Sequence, residues 1–194
     1  MGRPNHTNRN SKPILEKEYK ILKSYINGLD TFETTKVKWL RSVELLFLSG
    51  LRVSEILSLR IVDINLGIEN SELSVYVKKQ KMIRHIPLSD KSISILKRLI
   101  RNENDEDSYF IHKRNSKRGN LNHIGFTKDF NQLIHFVLGK DYSSHSFRKG
   151  LITQMSMKGI NPKITQSFIG HKNVTTTLNY YKPTVEDVRE CLVR

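Results

Sequence analysis

The spacing of apolar and polar positions shifts from a helical period to an alternating one and back along this chain. Between Ile14 and Ile26, apolar residues at 14, 15, 21, 22, 25 and 26 predict a helix that Asn27-Gly28 ends. A second helix is predicted over about 33–49, with Val37, Leu40, Val43, Phe47 and Leu48 on or near one face. Gly50 permits a sharp turn, and helical spacing restarts from Leu51 to Leu59. The period then falls to two. Glu72 to Val77 and Met82 to Ile86 are short β-branched runs joined by Lys78-Lys-Gln-Lys81, which reads as a β-hairpin with a basic connection. A short strand near Val62 is a candidate third member. Pro87 closes the hairpin, and Ser89 or Asp90 can cap a helix running through Ile93, Leu96, Leu99 and Ile100.

Helical spacing dominates the rest. Leu121 to Leu138 is an amphipathic helix stopped by Gly139, and Ser146 to Met157 is followed by Gly159. Pro162, a favoured first-turn residue, opens a helix to Phe168. Another runs from Val174 to Tyr181, and Thr184-x-x-Asp187 opens a last one over Val185 to Val193. No internal repeat or interdomain linker interrupts the pattern. The predicted class is mainly α with a small antiparallel β-sheet (α+β), one domain over residues 14–194. Residues 1–13, with Arg3, Arg9 and Lys12 among Asn, Pro and Gly, read as a disordered basic arm.

Composition narrows the class of partner. The 194 residues carry 33 Lys and Arg against 19 Asp and Glu, a net charge of +14, and such a surface attracts polyanions, nucleic acid first. Asn102 to Asp107, NENDED, reads as a solvated acidic turn; Lys113 to Arg118 is a basic loop suited to backbone phosphate. A single cysteine, Cys191, excludes an intrachain disulfide or a cysteine-cluster metal site. No apolar run approaches the roughly 20 residues of a spanning helix, and the first residues lack the apolar core of a signal peptide. The expectation is a cytoplasmic, DNA-associated protein with no membrane partner.

Residues 143–183 concentrate groups suited to phosphate chemistry: His145-x-x-Arg148, Gly170-His171 and Tyr180-Tyr181. Arginine can fork onto two phosphate oxygens, imidazole titrates near neutrality, and a phenol can attack phosphorus. Upstream, Gly50-Leu-Arg52-Val-Ser-Glu55 places a further arginine just after a glycine turn. Each piece has a duller reading. Arg52 can simply pair with Glu55 or Asp63, either tyrosine can be the reactive one, and 151–181 reads passably as a helix-turn-helix about Gly159. His85, His112, His123 and His135 show no metal spacing and read as structural.

Taken in order, with a Lys-bearing hairpin between the first two motifs, this set resembles the tyrosine recombinases, the phage-integrase and Xer-type family, over roughly residues 14–194. The resemblance implies that Arg52 and Arg148 hold the scissile phosphate, with His145 and His171 beside it. By the family's spacing from Gly-His, Tyr180 is the nucleophile. Lys79, eight residues before Pro87, is the general acid, and Glu55 is a supporting residue. Lys78, Lys81 and Arg84 on the hairpin, Lys113, Arg114, Lys117 and Arg118 on the basic loop, and Lys149 and Lys172 beside the motifs are assigned to DNA contact. The resemblance further implies strand exchange through a 3′-phosphotyrosine with no cofactor, metal or ATP. Its partners would be double-stranded DNA, other copies in a tetramer joined through the C-terminal helix, and an accessory DNA-binding protein. Val185, Val188, Leu192 and Val193 supply an apolar stripe for that helix, which packing on its own chain also explains. About 13 residues precede the region of resemblance, so either the family's N-terminal DNA-clamping domain is lost, as in the short fimbrial-switch invertases, or the sequence is a fragment. A type IB-like topoisomerase and a catalytically silent DNA-binding regulator are the rival readings.

Overall fold

The computed structural model describes residues 11–78, 81–170 and 173–181. In order these form α1 (Glu16–Asn27), α2 (Glu33–Ser49), α3 (Val53–Ile56), α4 (Ile61–Glu69), β1 (Glu72–Val77), β2 (Met82–Pro87), α5 (Asp90–Ile100), α6 (His123–Leu138), α7 (Ser144–Met157), α8 (Pro162–Ile169) and α9 (Val174–Leu178). The class is the expected one, mainly α with a two-stranded antiparallel sheet. The elements cluster into two compact units, through Leu151 and from Ile152, and the division falls inside α7 rather than in a linker.

Helix starts are set by side chains that satisfy N–H groups the helix itself leaves open. Glu18, Glu55 and Asp63 each reach back three residues and accept from the backbone N–H of Leu15, Arg52 and Arg60, at 3.1, 2.8 and 2.7 Å. Ser89, Asn122 and Asn161 cap α5, α6 and α8 in the forward sense.

In the first unit α2 packs against α1, α3 and α5, and residues 41–46 are all buried. The single apolar face expected for it is therefore too narrow. Polar side chains on its other faces are inside as well, each with partners. Arg41 donates to the carbonyls of Leu99 and Phe110 and to Glu103. Glu44 accepts the Tyr19 hydroxyl and pairs with Lys23, both at 2.6 Å. Trp39 meets Phe126 and Phe130 of α6, and Phe130 stacks on Phe147 of α7. This aromatic ladder ties α2 to the start of α7.

Two expectations fail between Leu51 and Glu69. The helix predicted for 51–59 is the single turn α3, because the chain extends at Leu59 and Arg60. There Leu59 O accepts from Phe110 N, and Arg60 bridges Tyr109. The strand predicted near Val62 is instead α4. Asp63 caps it, Ile61 and Ile64 face the core, and the carbonyls of Ser108 and Glu106 accept from Ile61 N and Val62 N. The hairpin is as predicted, in register from Glu72↔Pro87 to Val77↔Met82. Its inward face carries Leu73, Val75, Val77 and Ile86, with one charged residue, Arg84.

Ser11 to Pro13, expected in the disordered arm, are instead tied to α7 and the turn before it. Lys12 N donates to Asp141 O at 2.8 Å, Ile14 N to Ser146 O at 2.9 Å, and Lys149 Nζ to Ser11 O at 2.6 Å. Ile14 is fully buried, and a Cβ built on Gly150 would lie 1.9 Å from its carbonyl oxygen. We therefore predict that Gly150→Ala forces this segment or α7 to move. The expected loss is roughly 1–3 kcal/mol, the usual cost of overpacking, read by urea unfolding. An unchanged midpoint would mean the segment yields freely.

Candidate active site

Gly50 ends α2 with φ 58°, in the left-handed region where glycine carries no side-chain penalty. The turn it makes presents two carbonyls to arginines from distant elements. Arg84 Nη2 donates to Ser49 O at 2.6 Å, and Arg148 Nη1 to Gly50 O at 3.0 Å. Two residues on, Arg52 precedes α3, where Glu55 accepts both its backbone N–H at 2.8 Å and its guanidinium at 2.7 Å. Three guanidiniums thus gather at one turn, and Glu55 is the carboxylate beside them. Arg84 and Arg148 are buried, whereas the Arg52 side chain keeps 29% of its surface.

α7 brings the next group. His145 and Arg148 are three residues apart and so share a helix face, while Phe147 between them points into the aromatic ladder. His145 is itself exposed. Desolvation by the surrounding chain, then the charges of Arg148 and Arg52, hold its pKa below the ordinary 6.5. At neutral pH the site therefore has a neutral imidazole beside fixed cations. A cavity of about 400 Å³ opens on Arg52 and is also lined by Tyr76, Lys78, Asn120 and His123. A second, of about 620 Å³, opens on His145 with His135, Lys140 and Tyr142.

In the second unit Tyr180 is half-buried in the turn after α9. Its neighbour Tyr181 has its hydroxyl hydrogen-bonded to Thr165 Oγ1. The Thr165 partner of that hydroxyl is itself buried. Lys79, His171, Lys172 and the helix predicted over 185–193 lie outside the described residues.

Several residues assigned to DNA contact have other partners. Arg84 is a correction: it sits on the inner face of β2, and burial pushes its pKa down to about 10, with Glu55 opposing and Arg52 adding to that shift. Lys117 and Arg118 are exposed and each is paired with an acid. Lys117 pairs with Glu103 at 2.8 Å, and Arg118 binds both Asp105 oxygens at 2.8 and 2.9 Å. The acidic turn is accordingly not a merely solvated one. Burial alone would raise Glu103, yet hydrogen bonds from Lys117 and Arg41 carry its carboxyl below the ordinary range. Lys149 is half-buried with its amine on Ser11 O. Lys78, Lys81 and Lys113 are exposed, as is Arg114, whose guanidinium lies 3.5 Å from the centre of the Phe32 ring.

The clamp on the Gly50 turn is what reading the sequence missed at this site. Its one signal is the alternation of β2, which puts Arg84 inward with Ile86. Among the described residues no helix is long and apolar enough to cross a membrane.

With this arrangement in view, comparison with known proteins is direct. Residues 13–186 match the phage integrase family, and the chain belongs to it. It is 31% identical over 152 residues to tyrosine recombinase XerA of Pyrococcus horikoshii, covering 76% of this chain and 51% of that protein. It is 33% identical over 152 residues to a tyrosine recombinase of Thermosipho africanus, covering 76% and 50%. With XerC of Rickettsia rickettsii it shares 26% identity over 188 residues, 94% of this chain and 59% of the relative. The chain thus spans about half to three-fifths of the length of these relatives. The fold is similar to that of the Tn1549 transposon integrase in complex with a circular intermediate DNA. That match has a TM-score of 0.74 at 22% identity, covering 97% of this chain and 67% of the other. The crystal structure of XerA recombinase matches with a TM-score of 0.66 at 21% identity, over 98% and 64%.

An NMR titration should give His145 a pKa below 6.5, and Arg52→Gln should raise it by removing a like charge. In the unfolded chain the ring takes up its proton near 6.5, in the folded chain only at lower pH. The stability tied to this ring is therefore complete above 6.5 and is lost as pH falls through the folded value. His145→Gln should abolish that increment. A ring titrating at or above 6.5 contradicts the site described above.

Proposed function

We propose that residues 14–194 are the catalytic domain of a site-specific DNA recombinase that cuts and rejoins strands through a 3′-phosphotyrosine. The observation that carries this reading is the pair Arg52 and Arg148 fixed at one turn with a neutral imidazole beside them. A phosphodiester repels nucleophiles, and negative charge grows on its oxygens as a fifth bond forms. Two guanidiniums already in place stabilise that charge without reorganising, and removing one such donor typically costs on the order of 10²–10³ in rate. Glu55 supports Arg52 through the pairing described above.

The Tyr180 oxygen attacks phosphorus, and its proton, with an unperturbed pKa of about 10, passes to His145. The bond from phosphorus to the 5′ oxygen breaks, and that oxygen takes a proton from Lys79. His171 hydrogen-bonds the same phosphate. The phosphotyrosine retains the energy of the broken bond, so a 5′-hydroxyl from another strand reverses the step with no ATP. DNA would be held by Lys78, Lys81, Lys113, Arg114 and Lys172, with affinity that falls steeply as salt rises. Four copies would act on two sites, joined through the helix predicted over 185–193, with an accessory DNA-binding protein as a further partner. Tyrosine recombinases among the relatives favour this reading over a type IB-like topoisomerase or a silent regulator.

A nicked suicide DNA substrate should trap the protein covalently. Tyr180→Phe should abolish the adduct, whereas Tyr181→Phe should still form it. Adducts that persist in Tyr180→Phe would falsify the choice of nucleophile.

Lys79→Ala should slow cleavage, and a 5′-bridging phosphorothioate, whose sulfur leaves without a proton, should restore most of the rate. Failure of that substrate to restore it removes Lys79 from the acid role.

A further inference from the structure

The turn that carries Tyr180 is gripped from two directions inside the second unit, and neither grip uses the Tyr180 phenol. Ser156, near the end of α7, donates its hydroxyl to the Tyr180 carbonyl at 2.7 Å. Thr165, in α8 and fully buried, shares a hydrogen bond with the Tyr181 hydroxyl. Within the turn, Tyr180 N donates to Thr177 O at 3.0 Å and Tyr181 N to Leu178 O at 2.9 Å. The backbone at 180 and the side chain at 181 are therefore both fixed to helices of the same unit.

We infer that Ser156, Thr165 and Tyr181 form a clamp that positions the Tyr180 nucleophile for attack. This rests on the recombinase reading above and goes beyond it, since none of the three reacts. The physical need is clear. A phenol sits at the end of a side chain with two rotatable bonds, so small displacements of its backbone move the attacking oxygen by comparable amounts. A misplacement of about 1 Å can cost on the order of 10² in rate. Anchoring the carbonyl of 180 and the ring of 181 removes backbone freedom at the point from which the phenol is carried. Thr165 suits the task because its amide already donates to Asn161 O within α8, at 3.0 Å, so its hydroxyl can serve the partner ring.

The test is single-turnover trapping on the nicked suicide DNA, with Ser156→Ala, Thr165→Val, Tyr181→Phe and Ser156→Thr in the full chain. The three variants lacking a clamp hydroxyl should form the adduct roughly 3- to 10-fold more slowly, the range expected for one lost hydrogen bond. Ser156→Thr, which keeps a hydroxyl, should stay near the parent rate. Affinity for uncleaved DNA should not change, and peptide mapping should still place the adduct on Tyr180. Tyr181→Phe removes a single oxygen atom and keeps the test open if a buried substitution unfolds the chain. Rates equal to or faster than the parent in these variants overturn the clamp, the faster case meaning that the contacts hold Tyr180 away from attack. If the parent forms no adduct, or Tyr180→Phe still forms one, the recombinase reading fails and the clamp with it.

Discussion

The site depends on one constraint: several guanidiniums must be held close together before any anion arrives to neutralise them. Like charges within a few ångströms repel, and the repulsion grows as water is excluded. The Gly50 turn meets this with backbone dipoles. Ser49 O takes Arg84, Gly50 O takes Arg148, and Glu55 takes Arg52. Arginine suits this geometry where lysine does not. Its planar fork can give one N–H to a carbonyl of the scaffold and aim others at a ligand. The left-handed backbone at Gly50 is thus part of the site's electrostatics as well as the end of α2.

The net charge of +14 already subtracts the acidic residues. Some of the 33 cations are committed to partners within the chain. Arg41 and Lys117 share Glu103, Arg118 binds Asp105, and Arg84 is buried at the turn. Exposed ion pairs typically contribute only about 0–1 kcal/mol each, so the Arg118 pair matters less for stability than for the charge it masks. Glu103 differs, being largely buried and bonded from several sides. Lys78, Lys81, Lys113 and Arg114 remain exposed.

Local signals explain which elements could be read from the sequence. α2, α5 and α6 follow the apolar spacing and carry residues that cap or stop them within a few positions, and the hairpin follows its alternation. α4 could not be read that way. Ile61, Val62 and Ile64 look like strand locally, and their helix depends on carbonyls of Glu106 and Ser108, more than forty residues away. The pairing of Lys117 and Arg118 with the acidic turn has no local signal, since Glu103 and Asp105 lie thirteen or fourteen residues before them. The motif residues Arg52, His145 and Arg148 were legible because their order and spacing are distinctive. Arg84 reads as a DNA contact because a charged residue on a strand suggests solvent, although the period of β2 points it inward.

Holding α7 in place links the rest of the first unit to this chemistry. Phe147 locks into the aromatic ladder, Ser146 O accepts from Ile14 N, and the carbonyl of Ile14 lies against Gly150. His145 and Arg148 are left on the remaining face, where desolvation, and after it the charges of Arg148 and Arg52, depress the histidine's proton affinity. Part of that depression comes from the fixed charges of the two arginines. An anion bound to the arginines cancels part of the positive potential at the ring, so the imidazole becomes a stronger base once a phosphate is in place. By linkage, protonating His145 must then favour anion binding to the same extent. Repeating the ring titration in the presence of inorganic phosphate reads this coupling directly, and an unchanged pKa would mean that the ring and the anion do not share one field.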